Sequence, residues 1–286
     1  MWAWYNLASM TLRIALEDVV PIIRRVAEEQ VLTRFQRLAQ HEIREKSPGN
    51  LVTVADTEAE LALTSGLMNL LPGSLVVGEE AVAVDPAVLD QLAGDEPVWI
   101  IDPVDGTMNF ARAIPRFALI VALAESGEVR AGWIHDPIRN ATVMAQAGGG
   151  AWRLDSTGKY PLQRAAMPSL RDARGVVGGR FGDRGRVHDI LERGGRVGPL
   201  HRVTCAGLEY VDLVEGRVDF AAFSRILPWD HAAGVLIHRE AGGTSGFVED
   251  RAPDPVAYSV RRQAGVLLHA PTGSGWSQLR EALIEG

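Results

Sequence analysis

The sequence predicts a mixed α+β and α/β chain on three observations. Apolar residues recur at helical spacing near the N-terminus, a central run of strands is punctuated by tight turns, and strands alternate with helices thereafter. In order, Leu12, Ala15, Val19, Ile22, Ile23, Val26, Ala27, Val31, Phe35 and Leu38 carry the helical spacing. Pro21, which lacks an amide hydrogen, is expected to start or kink that helix. The stretch "REKSPGNLVTVADTEAE" reads as a loop, a short extended piece and a helix beginning near Asp56, which has a cap-like setting. "LVVGEE" is a short strand ending in two acids, and Val98–Ile101 is a second strand too short for a helix.

From Phe117 to Trp152 the pattern is of successive antiparallel strands, with turns at Ser126-Gly127, Arg139-Asn140 and the triple glycine Gly148–Gly150. Beyond Tyr160, "ARGVVGGR", "HRVTC", "VDFAAF" and "GVLLHA" are strand-like, and segments near Arg186–Arg193, Ala206–Val214, Asp230–Ala241 and Ser277–Glu285 are helix-like. No repeat or low-complexity linker separates the halves. An N-terminal α+β lobe (1–155) and a C-terminal α/β lobe (156–286) are therefore expected to pack as one unit.

The bulk properties exclude some functions. A chain of 286 residues, 47% hydrophobic, can bury a large core. Its net charge of −7 argues against nucleic acid or an anionic membrane as the main partner. A single cysteine, Cys205, gives neither a disulfide framework nor a zinc cluster and fits a reducing cytoplasm. No basic start followed by an apolar core marks a signal peptide, and no stretch reaches ~20 uninterrupted apolar residues.

Acidic residues repeat one local context: apolar strand, acid, then a turn. Glu79-Glu80 follow "LVVG", Asp102 and Asp105 follow "VWII", Asp230 lies in "LPWDHAAG", and Asp56 in "VTVAD" is a fourth candidate. Alone, "GEE" is a solvated turn, "PWD" a Trp packed beside a helix cap, and the paired aspartates caps or turn residues. Taken together they are carboxylates at strand ends that can converge on one point. Unpaired ionised carboxylates are costly to bury, and a hard divalent cation, Mg²⁺ above all, is their natural counter-charge.

These strings, "GEE", "WIIDPVDGTMNF" and "PWDHAAG…EAGG", resemble the inositol-monophosphatase superfamily of Mg²⁺-dependent, lithium-sensitive phosphatases, from about Lys46 to Gly243. The resemblance implies a layered αβαβα sandwich, commonly dimeric, that binds two to three Mg²⁺ ions. It assigns Glu79, Asp102, the Val104 carbonyl, Asp105 and Asp230 to the metals. Thr107, Asp56 and Glu79 would hold the attacking water, with Lys46 on a mobile loop over the site. Gly106 and Thr107 would turn free amides on the phosphate at the start of a helical turn. Bound cations would also let an acidic protein attract an anionic ester.

The substrate side departs from that pattern. Inositol monophosphatases carry a glutamate seven residues before the Trp-Asp aspartate, where this chain has Phe223. A phenyl ring leaves polyol hydroxyls unsatisfied. The small segment around Cys205 and Ala206, expected near the leaving group, reads "TCAGLEY". Arg180, Arg202 and Arg225 are candidates for a second anionic group, against the plainer reading of surface arginines. Cys205, His135 and His231 read as packing residues rather than nucleophile or ligands. The expected activity is hydrolysis of a small phosphomonoester, inositol phosphate or another polyol phosphate first, then histidinol phosphate or fructose 1,6-bisphosphate. A slowly acting regulatory protein of the same fold is the rival from another class.

Overall fold

The computed structural model describes residues 14–178, 187, 189–191, 197–202, 204–250 and 258–284. Leu12, Arg180 and most of the helix expected over Arg186–Arg193 lie outside them, as does the Arg202 side chain. Helix α1 (Leu16–Val26) starts five residues before Pro21, which lies inside it, and continues as a π-turn over Ala27–Leu32. Its apolar face (Val19, Val20, Ile23, Val26) is buried, and Trp133 Nε1 donates to the Leu16 carbonyl at 2.9 Å.

"REKS" is not a loop. It belongs to strand β1 (Ile43–Ser47), which folds back through Pro48-Gly49 onto β2 (Asn50–Thr53) as an antiparallel hairpin. The polar side chains of β1 hide its extended character, because an exposed two-stranded ribbon shows no alternation of burial. Helix α2 (Val54–Leu70) begins two residues before Asp56. Thr53 caps it, accepting from the Ala55 amide, while Asp56 Oδ2 accepts from the Thr53 amide at 2.8 Å, a reciprocal capping box.

A seven-stranded sheet follows, in the order β3 (Leu75–Gly78), β4 (Val98–Asp105), β5 (Ala118–Glu125), β6 (Glu128–Asp136), β7 (Ala141–Gln146), β8 (Ala151–Asp155) and β9 (Gly158–Leu162). Short helices α3 (Glu79–Val84) and α4 (Thr107–Ala111) continue directly from β3 and from the turn after β4. Ser126 and Gly127 both take positive φ, the tight turn that suits strand twist. Two expectations are corrected here. Strand β4 runs four residues past Ile101, through both aspartates, and β9 extends the first sheet beyond residue 155. The largely exposed "GKYPL" carries no buried alternation, which is why it does not read as a strand.

The second sheet has the order β11 (Leu200–Arg202), β10 (Gly175–Gly178), β12 (Phe220–Phe223), β14 (Leu267–Ala270) and β13 (Thr244–Phe247). Between the sheets lie α5 (Ala206–Val214) and α6 (Pro228–Glu240), which pack against each other, and α7 (Gly273–Ile284) covers the outer face of the second sheet. Strand alternation distributes the layers. Trp99, Ile101, Leu119 and Val121 face α1 and α2, whereas Val98, Ile100, Ile120 and Ala122 share a core with Tyr210, Ala233 and Phe223. Phe220, Ala222 and Leu268 pack with Trp276 and Leu279 of α7. The result is the layered αβαβα arrangement. Among the described residues no helix is long and apolar enough to cross a membrane.

Leu63, fully buried between α2 and the first sheet, should tolerate truncation poorly. Leu63→Ala is expected to cost about 2–5 kcal/mol in urea unfolding, while Leu61→Ala, at an exposed site on the same helix, stays within about 0.5 kcal/mol.

Candidate active site

Strand β4 builds one wall. All eight of its residues are buried, and Asp102, in phase with Val98 and Ile100, faces the α5/α6 layer. Its pairing with β5 passes from Asp102↔Ile120 to Asp105↔Ala118, so one extra residue is inserted. This bulge turns Asp105 to the same side as Asp102, where strict alternation would have pointed it away. Gly106 then takes φ +90°, and a Cβ there would fall 3.0 Å from the Arg116 carbonyl and 3.2 Å from Cys205 Cβ. Only glycine fits that corner without strain.

The end of β4, the β1–β2 turn and the α5/α6 layer enclose a cavity of about 230 Å³. Glu79, Asp102, Val104, Asp105, Gly106, Thr107, Cys205, Ala206, Phe223 and Asp230 line it, together with Arg225 and His231. Two of the expected residues stand behind the lining. Lys46 lies on strand β1, not on a loop, and its Nζ donates to Glu79 at 2.8 Å and Glu80 at 2.9 Å. Asp56 is buried under Thr107, whose Oγ1 lies 2.9 Å from Asp56 Oδ1 and 3.0 Å from the Val104 carbonyl. His135 is elsewhere, bonded to Thr142 within the first sheet.

The electrostatics of the cavity are dominated by buried carboxylates. Burial and the facing carboxylates Glu79, Asp105 and Asp230 hold the Asp102 carboxyl well above its ordinary range. Asp230 is raised by burial and by Asp105 and Glu79. Asp105 is also raised by burial, against the pull of the donors it accepts: the Ala206 amide at 3.2 Å, the Gly207 amide at 2.6 Å and the Cys205 thiol at 3.0 Å. Burial lifts Asp56 to about 7, opposed by the Thr53 and Thr107 hydrogen bonds. Lys46 is raised, since its two glutamate partners outweigh its desolvation.

The donor set is all oxygen, four carboxylates and the Val104 carbonyl, which suits a hard divalent cation. Among the described residues no group of three or more His, Cys, Asp or Glu side chains is drawn together tightly enough to hold an ion. Lys46 holds Glu79, and the first amides of α5 hold both oxygens of Asp105. Cys205 is buried, and burial and Asp105 push its thiol far up, so it is no thiolate nucleophile.

Sequence reasoning missed Glu60. Its carboxylate accepts from the Glu80 and Ala81 amides, each at 2.8 Å, and so fixes the start of α3, where Glu79 sits. A glutamate inside a helix reads as a surface residue, and nothing local announces this role.

The fold is of the layered αβαβα class, and the relatives it matches are phosphatases. Solved structures show the same architecture: the Thermotoga maritima IMPase superposes with a TM-score of 0.77 at 27% identity, covering 94% of this chain and 96% of that one. The extragenic suppressor protein suhB of Bartonella henselae gives 0.73 at 25% identity, covering 94% and 96%. An inositol-1-monophosphatase of Rhizobium meliloti is 32% identical over 246 residues, 83% of this chain and 87% of its own. The fructose-1,6-bisphosphatase/inositol-1-monophosphatase of Thermotoga maritima is 33% identical over 201 residues, 70% and 73%. The profile of the inositol monophosphatase family matches residues 16–283, and the chain belongs to that family. Members are generally metal-dependent, and the chain is a phosphoric monoester hydrolase.

Buried carboxylates whose native pKa is raised bind more protons in the folded than in the unfolded state. Stability therefore falls as pH rises from the unfolded value near 4 through the folded value, about 7 for Asp56 and Glu60. In chelator, the melting temperature should drop between about pH 5 and pH 8. Added Mg²⁺ should restore it more at the higher pH, as followed by scanning calorimetry.

Proposed function

We propose that this protein hydrolyses a small phosphomonoester, inositol 1-phosphate or a related polyol or sugar phosphate, by Mg²⁺-dependent attack of water. The observation that carries the reading is the convergence of Glu79, Asp102, Asp105 and Asp230 on one cavity beside the Thr107–Asp56 pair. Glu79, Asp102, the Val104 carbonyl, Asp105 and Asp230 would hold the cations. Bound there, divalent ions supply a nucleophile at neutral pH and neutralise charge on the phosphoryl and leaving oxygens.

The chain's own groups do the rest. Thr107 Oγ1 can take a proton from the attacking water while passing its own to Asp56, whose raised pKa suits a base working near neutrality. As the O–H bond of water opens, a new P–O bond forms and the ester P–O bond breaks. The leaving alkoxide takes up a proton from solvent and Asp56 gives its own back to solvent, so one water is consumed and one alcohol and one phosphate are released. No residue lining the cavity is poised to form a phosphoenzyme. The same reading takes two or three Mg²⁺ ions per site, inhibition by lithium and a homodimer, which rest on the family resemblance, and a cytoplasmic setting, which rests on the single cysteine. Lys46 is a substrate-side residue in this reading, and its bond to Glu79 would have to yield for Glu79 to hold a cation.

Phe223 and Arg225 favour a second reading of the substrate. Where a glutamate would bind ring hydroxyls, Phe223 offers an apolar face, and the exposed Arg225 at the rim offers a cation. A leaving group carrying a second anion, such as a sugar bisphosphate, meets both. The name of the Thermotoga maritima relative spans these two substrate types.

Phosphate release from a panel of phosphomonoesters should require Mg²⁺ and vanish in chelator and in Asp102→Asn. Thr107→Ala should lower kcat by about 10²–10⁴-fold with little change in KM. Turnover that survives chelation would sink the metal-dependent reading. Phe223→Glu should shift kcat/KM toward inositol 1-phosphate relative to fructose 1,6-bisphosphate by about tenfold, at some cost in melting temperature. An unchanged ratio would remove Phe223 from the substrate wall.

A further inference from the structure

Behind the cavity wall runs an unbroken chain of buried polar side chains from α5, α6, β13 and β14. His231 Nε2 lies 2.8 Å from the Arg225 carbonyl, and His231 Nδ1 lies 3.0 Å from the Tyr210 hydroxyl. The same hydroxyl is 3.0 Å from His269 Nε2, and His269 Nδ1 is 2.8 Å from Ser245 Oγ. Ser245 Oγ is 2.9 Å from His238 Nδ1, and the far nitrogen, His238 Nε2, is buried with no hydrogen-bond partner among the described residues.

The direction of every proton in this chain follows from its first link. A carbonyl can only accept, so His231 Nε2 carries the hydrogen. All three imidazoles are buried and, among the described residues, none is hydrogen-bonded to a carboxylate, so a charge on any of them would stand unpaired and the rings are neutral. A neutral ring has one N–H, so His231 Nδ1 accepts and the Tyr210 hydroxyl donates to it. Tyr210 oxygen then accepts from His269 Nε2, His269 Nδ1 accepts from Ser245, and Ser245 oxygen accepts from His238 Nδ1. His238 Nε2 is left as a bare acceptor. The reverse order would bury an unpaired N–H there, next to Arg164 and Arg239, and would need His231 charged. Room for the chain is built into the helices, since a Cβ at Gly234 would collide with the Tyr210 ring.

The cavity end of the chain touches the substrate wall. Tyr210 stacks on Phe223 with ring centroids 5.4 Å apart, and Phe223 meets His231 at 4.8 Å. We propose that Tyr210, acting through His231, is a positioning residue for the substrate side of the cavity: the ordered chain locks His231 as its Nε2–H tautomer, which clamps the Arg225 main chain and sets the Arg225 side chain at the rim. The kinetic consequence rests on the phosphatase reading; the proton order and the clamp do not.

Nitrogen-15 NMR of histidine-labelled protein tests the order directly. His231 and His269 should show the Nε2–H tautomer and His238 the Nδ1–H tautomer; the opposite assignment at His231 or His238 overturns the proposal. Tyr210→Phe removes both central hydrogen bonds while keeping the stacked ring. It should move the carbon-13 resonance of the Arg225 carbonyl and release His231 from its single tautomer. It should also raise KM for the phosphomonoester by about three- to tenfold with kcat within about twofold, and add nothing in an Arg225→Ala background. An unmoved Arg225 carbonyl, or a KM effect that adds fully to that of Arg225→Ala, overturns the positioning role. Absence of turnover on every phosphomonoester, with both NMR results as expected, would instead count against the phosphatase reading and leave the clamp standing.

Discussion

The mutual repulsion of carboxylates in one buried cavity is the constraint around which this protein is organised. Burial and the facing carboxylates hold Asp102 and Asp230 above their ordinary pKa, and burial and Glu79 do the same for Asp105. Isolated ions so placed would cost several kcal/mol each. The surrounding structure supplies partial relief from every side: Lys46 to Glu79 and Glu80, the first amides of α5 to Asp105, and the Val104 amide to Asp102. None of these donors neutralises the whole cluster. A divalent cation would, and the proposed hydrolysis starts from the same imbalance.

That imbalance explains features that look unrelated. The bulge in β4 exists because two aspartates three residues apart must face one way. Gly106 exists because the chain must then turn beneath Thr204 and Cys205. Asn109 reinforces the turn, donating to the Arg116 carbonyl at 2.7 Å and to Thr204 Oγ1 at 2.9 Å, so the strand carrying Asp102 is tied to the helix that holds Asp105. Glu60 performs the same service for Glu79 from the opposite side, by capping α3. Supports for the carboxylates therefore come from α2, β1, α4 and α5, elements spread across most of the chain.

Much of this was legible in the sequence, for physical reasons. The apolar run "VWII" followed by two acids announces a buried strand end, and the antiparallel strands after Phe117 are marked by turn residues at fixed offsets. The acids stand out as candidates because each lies close to an apolar run, while Gly106, Thr107, Cys205, Ala206 and Phe223 are named through the family resemblance. The structure puts Asp102 and Asp105 within β4 and Asp230 in the first turn of α6. Other parts leave no local trace. The hairpin holding Lys46 is exposed and polar, so its strands read as loop, and its pairing with Glu79 spans 33 residues. Strand β9 contains a proline and shows no alternation. Pro103 and the aspartates hide the last four residues of β4. The histidine chain is assembled from positions between 210 and 269 that carry no motif, and only folding brings them into line.

The division of the cavity between two sheets has a further consequence. Asp102, Asp105, Thr107 and Asp56 belong to the first sheet and its outer helices, while Phe223 and Arg225 belong to the second sheet and its connection to α6. The α5/α6 slab sits between them and contributes Asp230. In the proposed reading, the groups for hydrolysis and the leaving-group wall thus stand on different sheets, and a substitution on β12 reaches β4 through the core they share with the α5/α6 slab. On that reading a change of phosphate ester asks for new side chains on one sheet, while the carboxylates stay on the other sheet and on α6.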